Sequence, residues 1–243
     1  CDDTISTYLV TKPNGSTKVG RIETPEGLKI AKNALGHRNT DLFGDECVVF
    51  IEGDSEDVAF PIIAQSLECD LCARGIRFVN VKGKDKFKKI EEYLRYLEGS
   101  GVIGYVIADG NDELRRKLED WQGAGIIKQG NWTMWDLEFE DCFSCDLIAQ
   151  AVNEMMKARE VEVELTAPEL EASRRQGGSI VKVIIEIFKE KELDLDKPEL
   201  AERLAILLSK EISEERHQKT LPEKVIKKIV ELVDEKYSEK TGV

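Results

Sequence analysis

Short apolar runs separated by amphipathic stretches are the feature that most constrains the fold of this chain. Continuous apolar runs of this length are typical of strands buried on both faces of a parallel sheet. The stretches between them have the 3.6-residue periodicity of helices. The predicted strands are Cys47–Ile51, 76–81, 102–108 and a short fourth strand beginning at Ile126 and Ile127, and the predicted helices are 56–67, Lys86–Leu97 and 113–121. This order predicts an α/β fold with right-handed crossovers and helices on both faces of a parallel sheet.

The segments on either side of this alternation have patterns of their own. Residues 4–12 and 17–23 alternate in polarity around a turn-forming sequence at 13–16, which predicts a β-hairpin, and a short helix is predicted over 25–35. After Cys142 the periodicity is helical throughout, and the stretch 166–178 is predicted to be the least ordered part. The helices predicted in this region are 147–159, 179–190, 198–210 and 221–237.

The composition bounds the classes of protein that this chain can be. It has 243 residues, 41% of them hydrophobic and 34% charged, which is enough for a large core under a charged surface. The net charge of −13 argues against passive coating of nucleic acid, but acids that bind metal ions become attractive to phosphate. No apolar run approaches about 18 residues and no signal peptide is visible, so we expect a cytoplasmic protein with no membrane partner. Because the first residue is Cys1, we expect a domain excised from a longer protein.

Two basic clusters stand out against this acidic background. They are Lys82, Lys84, Lys86, Lys88 and Lys89 in one stretch, and Arg115, Arg116 and Lys117 in another. Within the first cluster, Lys82, Lys84 and Lys86 are candidates for contacts with nucleic-acid phosphates. A solvated helix face explains such runs equally well.

Four of the six cysteines form two C-x-x-C pairs, Cys69 with Cys72 and Cys142 with Cys145. Four thiolates would suit a zinc ion. The gap between the pairs is far longer than in a zinc ribbon, however, and small apolar residues on a helix face or at a helix end are the competing interpretation. We expect free thiols rather than disulfides in an intracellular chain.

Acidic residues follow two of the predicted strands at the point where each strand ends. Glu52 follows the first strand and Asp109 the third, and a glycine comes after each of them. Ligands bind at the carboxyl ends of the strands in an open parallel sheet, so we expect these acids to share a cleft with Glu56, which lies where a turn opens into a helix. A cluster of carboxylates is costly unless a cation binds there, and hard oxygen ligands suit Mg²⁺ or Mn²⁺. A lone acid after a strand is more often a helix cap or a loop residue.

The sequence around these acids resembles the motifs of Toprim domains. Residues 49–56, Val-Phe-Ile-Glu-Gly-Asp-Ser-Glu, look like the first Toprim motif, and residues 106–111, Val-Ile-Ala-Asp-Gly-Asn, resemble the second. Three further segments, 79–84, 137–141 and 196–201, are similar to OLD-family (overcoming lysogenization defect) nucleases. That family has a further acid in the second of these segments and an essential lysine in the third. The Toprim resemblance covers about residues 46–141, and the OLD-type resemblance extends more loosely to nearly the whole chain.

The resemblance implies hydrolysis of DNA phosphodiesters by two metal ions, Mg²⁺ or Mn²⁺, roughly 3.5–4 Å apart. It implies that Glu52 and Asp109 bind metal directly, and that Glu56 is a further ligand or holds a metal-bound water. Glu140, or failing that Glu138, would complete the second site.

Two further positions bear on the implied mechanism. Lys197 would steady the scissile phosphate or the transition state with one fixed positive charge, although a lysine beside a helix-opening proline is also an ordinary solvent-facing residue. Asn111 stands where the family has an aspartate. Its amide oxygen can coordinate a metal but brings no charge, and Asp112 could take its place.

The resemblance also implies how the chain is organised and what accompanies it. It implies a Toprim-type, Rossmann-like parallel sheet with an inserted all-helical subdomain. We expect a lead-in hairpin and helix over 1–45, a Toprim core over 46–141, a helical insert over 142–195 and C-terminal helices over 196–243 that complete the domain. OLD-type proteins carry an ABC-type ATPase ahead of this domain, so we expect an ATPase in the same full-length chain and a homodimer. The chain itself has no G-x-x-x-x-G-K-[ST] motif and is not expected to bind ATP in that way.

Other interpretations remain beside the nuclease. One is another Toprim activity such as RNA processing or primase action. A second is a degenerate Toprim domain that serves as a nucleic-acid-binding or oligomerisation module, which Asn111 and the acidic charge favour. A topoisomerase is disfavoured because no tyrosine is placed as a nucleophile. We expect Tyr93, Tyr96 and Tyr105 to be packing residues. We expect core or interface packing for Trp121, Trp132 and Trp135 as well, although these three could stack on bases.

Overall fold

The computed structural model of the chain describes residues 8–11, 18–21, 45–83, 85–214 and 220–241. The helix predicted over 25–35 and the candidate Lys84 lie outside these residues. The predicted hairpin is represented by strands β1 (Tyr8–Thr11) and β2 (Lys18–Arg21), which pair antiparallel with Tyr8 opposite Arg21.

A parallel sheet of four strands forms the centre of the described structure. Its strands are β3 (Cys47–Ile51), β4 (Ile76–Asn80), β5 (Ile103–Ala108) and β6 (Trp132–Met134), arranged in the order β4-β3-β5-β6. All neighbouring pairs are parallel, as the alternation of strands and helices predicts. The strands that end at Glu52 and at Asp109, β3 and β5, are direct neighbours.

The fourth strand was predicted at the wrong place. It lies at Trp132–Met134, whereas Ile126 and Ile127 belong to the turn that follows a helix and bury their side chains beneath it. Gly125, with a φ of 75°, turns the chain there, and the amide of Ile126 bonds back to the carbonyl of Trp121. The apolar character of Ile126 and Ile127 thus indicated that these residues are buried. Burial alone does not distinguish a turn from a strand.

Helices cover both faces of the sheet, because successive residues of a buried strand point to opposite sides. Helix α1 (Asp54–Ser66) covers the face that receives Cys47, Val49 and Ile51. Helices α2 (Lys86–Leu97) and α3 (Asp112–Gly123) cover the opposite face, which receives Val48 and Phe50. The continuous apolar run of β3 is thus explained by two separate cores.

The described residues after β6 are mostly helical. After a 3₁₀ helix at Phe139–Cys142 come α4 (Cys145–Ala158), α5 (Ala167–Arg175), α6 (Ile180–Glu190), α7 (Lys197–Ser213) and α8 (Leu221–Thr241). These helices share one continuous hydrophobic core with α1 and the first face of the sheet, and α7 packs along α1. The segment 142–195, expected as an insert, therefore contributes to the main core.

Most of the stretch 166–178, predicted to be the least ordered part, forms helix α5. Thr166 and Glu169 form a capping box, in which each side chain accepts a hydrogen bond from the other residue's backbone, and Pro168 lies in the first turn. Both signals stand in the sequence and are typical helix starts. The prediction gave more weight to Gly177 and Gly178 at the end of the segment, which are typical of a loop.

None of the helices in the described part of the chain has the length and apolar character needed to cross a membrane.

Candidate metal centre

The carboxyl ends of β3 and β5 bring Glu52 and Asp109 together. Phe50 pairs with Val106 in the parallel ladder, so both strands end at the same edge of the sheet. The backbone amide of Asp109 donates a hydrogen bond of 3.2 Å to Oε2 of Glu52. Both residues are partly buried. The two strand-end acids therefore share one cleft, as the sequence predicts.

Glu56 enters the same cleft from the first turn of α1. Its side chain is 2% exposed, and its Oε1 accepts a hydrogen bond of 3.1 Å from the indole Nε1 of Trp135, which is fully buried. Its Oε2 lies so close to the backbone that a Cβ added to Gly53 would stand 2.7 Å away. The glycine after Glu52 thus leaves room for the Glu56 carboxylate.

Glu140 reaches the cluster from the 3₁₀ helix. It is 1% exposed, and its Oε1 accepts a hydrogen bond of 2.6 Å from the hydroxyl of Ser55, the residue before Glu56 in α1. Glu138, two residues earlier, is only partly buried and caps the 3₁₀ helix in a capping box with Asp141. Of the two acids considered for this position, Glu140 is the one buried against α1.

Burial, with a smaller contribution from neighbouring acids, raises the pKa values of three carboxyl groups at the site. Burial, together with Glu56, Glu52 and Glu140, raises the pKa of Asp109 to about 7, against the opposing effect of Lys197. Burial is also the largest cause that raises the pKa of Glu56, to which Glu140 and Glu52 add. Burial raises the pKa of Glu140 as well. Buried like charges at this spacing destabilise the ionised site unless a cation neutralises them.

Two lysines partly neutralise the site. Lys197, the first residue of α7, places its Nζ 2.6 Å from Oε2 of Glu138 and 3.8 Å from Oε2 of Glu140. Its burial alone would lower its pKa, but Glu140, Glu138 and Asp109 raise the pKa above the usual value. Lys86, the first residue of α2, forms an ion pair with Oε1 of Glu52. The side chains of Glu52, Glu138 and Glu140 are therefore engaged by lysines.

The remaining candidates lie at the rim of the cleft. Asn111 is the N-cap of α3, where its Oδ1 accepts hydrogen bonds from the amides of Glu113 and Leu114 at 2.8 and 3.2 Å. Lys82 is exposed and places its Nζ 2.6 Å from Oδ1 of Asp54. The oxygen of Asn111 is thus turned to the helix, and Lys82 is paired with an acid outside the cluster.

Two residues that support the acidic cluster were not predicted to do so: Trp135, considered only for packing or for stacking on bases, and Gly110. The loop after β6 crosses the end of β5, where Trp135 donates its amide to the carbonyl of Ala108 and Gly110 donates its amide to the carbonyl of Leu137. A Cβ on Gly110 would stand 2.2 Å from the carbonyl oxygen of Asp136. The glycine after Asp109 was a visible signal of this close approach, whereas nothing in the sequence pairs Trp135 with Glu56.

The donor set fits a hard divalent cation. Glu52, Glu56, Asp109 and Glu140 offer carboxylate oxygens, the ligands that Mg²⁺ and Mn²⁺ prefer, and burial with like charge leaves them short of positive charge. Within the residues described, no three acidic, cysteine or histidine side chains already stand at the spacing of a ligand set. In the structure, Glu56 accepts a hydrogen bond from Trp135, Glu140 accepts one from Ser55, and Glu52 is paired with Lys86.

The four cysteines considered for zinc are not brought together. Cys142 lies in the 3₁₀ helix that contacts the start of α1, whereas the amide of Cys69 bonds to Ala64 at the end of α1. Thirteen helical residues separate these ends by roughly 20 Å. Burial and neighbouring acids also raise the pKa of the Cys142 thiol, which disfavours the thiolate that zinc requires. A zinc site of four thiolates is thus incompatible with this fold.

Comparisons with known proteins point to one family. Residues 42–110 match the family model described as "Overcoming lysogenization defect protein-like, TOPRIM domain". No curated protein matches the sequence significantly.

Solved structures are similar over most of the chain. One is the C-terminal region of the Xanthomonas campestris pv. campestris OLD protein, which is 16% identical with a TM-score of 0.55, over 80% of this chain and 99% of that one. Another is the C-terminal region of the Burkholderia pseudomallei OLD protein, which is 16% identical with a TM-score of 0.53, over 79% of this chain and 98% of that one. At this level of identity the likeness establishes a shared fold.

Proposed function

Because this chain carries an OLD-like Toprim domain, we propose that it is a divalent-metal-dependent endonuclease domain that hydrolyses the phosphodiester bonds of DNA. The observation that carries the proposal is the meeting of Glu52, Glu56, Asp109 and Glu140, from three separate segments of the chain, in one cleft at the carboxyl edge of the sheet. Such a cluster costs folding free energy, and a site that binds cations gives it a purpose.

Each acid has a place in the proposed site. Glu52 and Asp109, joined through the amide of Asp109, would hold the first Mg²⁺ or Mn²⁺ ion. Glu56 and Glu140 stand deeper, on α1 and the 3₁₀ helix, and would hold the second. Bound ions would supply Lewis acidity and a water nucleophile of lowered pKa. Trp135 and Ser55 would keep the deeper carboxylates oriented, as hydrogen-bonding partners behind metal ligands do.

Lys197 would act on the substrate. Its ammonium now stands between Glu138 and Glu140, on the side of the cleft formed by α7. If Glu140 held a metal ion, the ammonium, which lies 3.8 Å from its Oε2, would be able to turn to a phosphate oxygen of the substrate. The neighbouring acids that raise its pKa keep it protonated at neutral pH, so it would offer a fixed positive charge where negative charge develops.

Larger assemblies belong to the proposal as well. The similar solved structures are C-terminal regions of OLD proteins, so this chain would be the nuclease part of a longer protein with an ATPase ahead of it. Two such chains would form a homodimer. Lys82 and Lys86 would contact phosphates beside the metal site.

Nicking of supercoiled plasmid tests the proposal. Wild-type protein should cut with Mg²⁺ or Mn²⁺ and lose activity in a chelator, and Glu52→Ala and Asp109→Ala should each lower the rate at least a hundredfold. The matched control is Asp57→Ala, an exposed acid beside Glu56 in α1, which should keep wild-type activity. Unchanged cutting in both site variants would refute the site assignment. A wild-type protein that binds plasmid without cutting it, in any of these metals, would favour a binding module, and selective cutting of RNA would favour RNA processing.

A further inference from the structure

Helix α2 leaves two tyrosines on the surface. In the described part of the chain the exposed large hydrophobic side chains include Tyr93 at 53% and Tyr96 at 60%, one helical turn apart. Both were predicted to pack inside the protein, and that prediction is wrong for Tyr96. Tyr93 is only half covered, because one face of its ring stacks on Phe50 with the centroids 5.9 Å apart. Two exposed aromatic rings side by side on one helix, rather than scattered singly, make this surface a candidate for binding.

The tyrosines continue a line of lysines. Lys86, Lys89, Tyr93 and Tyr96 are spaced by three, four and three residues, so they lie along one side of α2. We call these four residues the α2 stripe. The Glu91–Arg95 ion pair lies on another side of the helix, at 3.0 Å. The stripe therefore presents cations and aromatic rings together, in a chain whose net charge is −13.

The stripe begins at the metal centre. Lys86 contacts Glu52, and the Nζ of Lys89 lies within 4.0 Å of the Cβ position of Gly83, in the loop that follows β4. From Lys86 to Tyr96 the helix runs roughly 15 Å away from the cleft. A chain bound along the stripe would therefore have one end at the acidic site.

We propose that the α2 stripe binds a nucleic-acid segment with unpaired bases, with the lysines at its phosphates and Tyr93 and Tyr96 stacked on its bases. In a duplex the base faces are already stacked on one another, so only unpaired bases can use the exposed rings. The inference rests on the proposed function, because it names the form of nucleic acid that the metal centre receives. In a two-fold dimer contact at the stripe, the positively charged lysines of the two copies would meet in one interface and repel each other. The negative charge of a phosphate backbone, in contrast, is complementary to these lysines.

Fluorescence anisotropy with a labelled single-stranded oligonucleotide and its matching duplex tests the inference. The titrations use the full chain in Ca²⁺, with the length of the oligonucleotide checked on a gel afterwards. Wild-type protein should bind the single strand more tightly than the duplex. Tyr96→Ala should weaken single-strand binding about 5- to 150-fold, the usual range for one stacked base. Tyr96→Phe, which keeps the ring, should bind within about twofold of the wild type. Ile206→Ala, at an exposed apolar residue of α7, is the control and should change nothing.

The outcomes separate this inference from the proposed function. The proposed role of the stripe would be refuted if Tyr96→Ala and the wild type bound the single strand with equal affinity, or if the wild type did not bind it. Dissociation of a wild-type dimer by Tyr96→Ala in sedimentation, with unchanged oligonucleotide affinity, would assign the stripe to a dimer contact. If the protein still cuts plasmid when either of these results is obtained, the nuclease proposal is unaffected. Single-strand binding that depends on Tyr96, without cutting in any metal, would overturn the nuclease and keep the stripe.

Discussion

The backbone amide of Asp109 donates a hydrogen bond of 3.2 Å to the carboxylate of Glu52, across the ends of two neighbouring parallel strands. This contact holds the Glu52 carboxylate against the backbone at Asp109, directly after the end of β5. It also uses only one oxygen of Glu52, and Lys86 holds the other. A cation that reaches this pair must therefore compete with a lysine.

We expect the lysine and the cation to compete measurably. Lys86→Gln should tighten Mn²⁺ binding about fivefold, because a partly exposed ion pair worth roughly 1 kcal/mol no longer has to be broken. Lys82→Gln is the matched control, since Lys82 pairs with Asp54 outside the cluster and should leave the affinity unchanged. Calorimetric titration of Mn²⁺ into the three proteins checks this. Weaker binding by Lys86→Gln would contradict the competition.

Stability in the absence of metal should fall as the pH rises. The folded pKa of Asp109, about 7, lies above the ordinary value of 3.8, so the folded state holds the proton more tightly than the unfolded chain does. The folded state therefore loses relative stability from about pH 4 through pH 7, because burial penalises the ionised carboxylate and Glu56, Glu52 and Glu140 repel it. Lys197 offsets part of that cost. Urea unfolding in a chelator measures this loss. Asp109→Asn should flatten the dependence over pH 5–8, and an equally steep dependence in that variant would contradict the assignment.

Trp135 should support metal binding without touching the metal. Trp135→Phe keeps a buried ring but removes the indole donor to Glu56, which should cost roughly 1–3 kcal/mol of stability and weaken Mn²⁺ binding about 10- to 100-fold. Trp132→Phe is the control, because its indole donates to Gln122 at 3.0 Å, away from the acids. Equal metal affinities in the two variants would show that the Trp135–Glu56 bond does not position the carboxylate.

Gly110 should be irreplaceable for a steric reason. In Gly110→Ala the new methyl group would meet the backbone oxygens of Asp136 and Trp135 at 2.2 and 2.8 Å, so one of the two loops must move. We expect a loss of roughly 1–3 kcal/mol in the free energy of unfolding, together with weaker metal binding. Gly123→Ala, where no atom lies within 4 Å of the new Cβ, should cost nothing or stabilise α3 slightly. Thermal and urea unfolding measure the free energy of unfolding of both variants. A loss in Gly110→Ala alone indicates a steric clash, whereas equal losses in the two variants would contradict this explanation.

The sequence predicted those parts of the fold and site that depend on local pattern. The buried run Cys47–Ile51 and the acid directly after it identify a strand and its end, and parallel topology then brings Glu52 to Asp109. The position of the fourth strand was not predicted, because the three residues Trp132–Met134 are too few to show a period. Ile126 and Ile127 were mistaken for it because they are apolar, but they are apolar because they are buried in a turn.

The parts that the sequence did not predict depend on contacts between distant segments. Trp135 and Glu56 are 79 residues apart, and no local rule pairs an indole with a carboxylate at that distance. The same is true of Ser55 and Glu140, separated by 85 residues. Tyr96 was misjudged because its position in a helix says nothing about which side of α2 remains uncovered.

The most direct test of the metal centre is an anomalous difference map from crystals grown with Mn²⁺. The account predicts a peak between Glu52 and Asp109, with a second roughly 3.5–4 Å away near Glu56 and Glu140, and Lys86 turned away from Glu52. A map without a peak at these carboxylates, at Mn²⁺ concentrations that support cutting, or with Mn²⁺ bound only elsewhere, would contradict it.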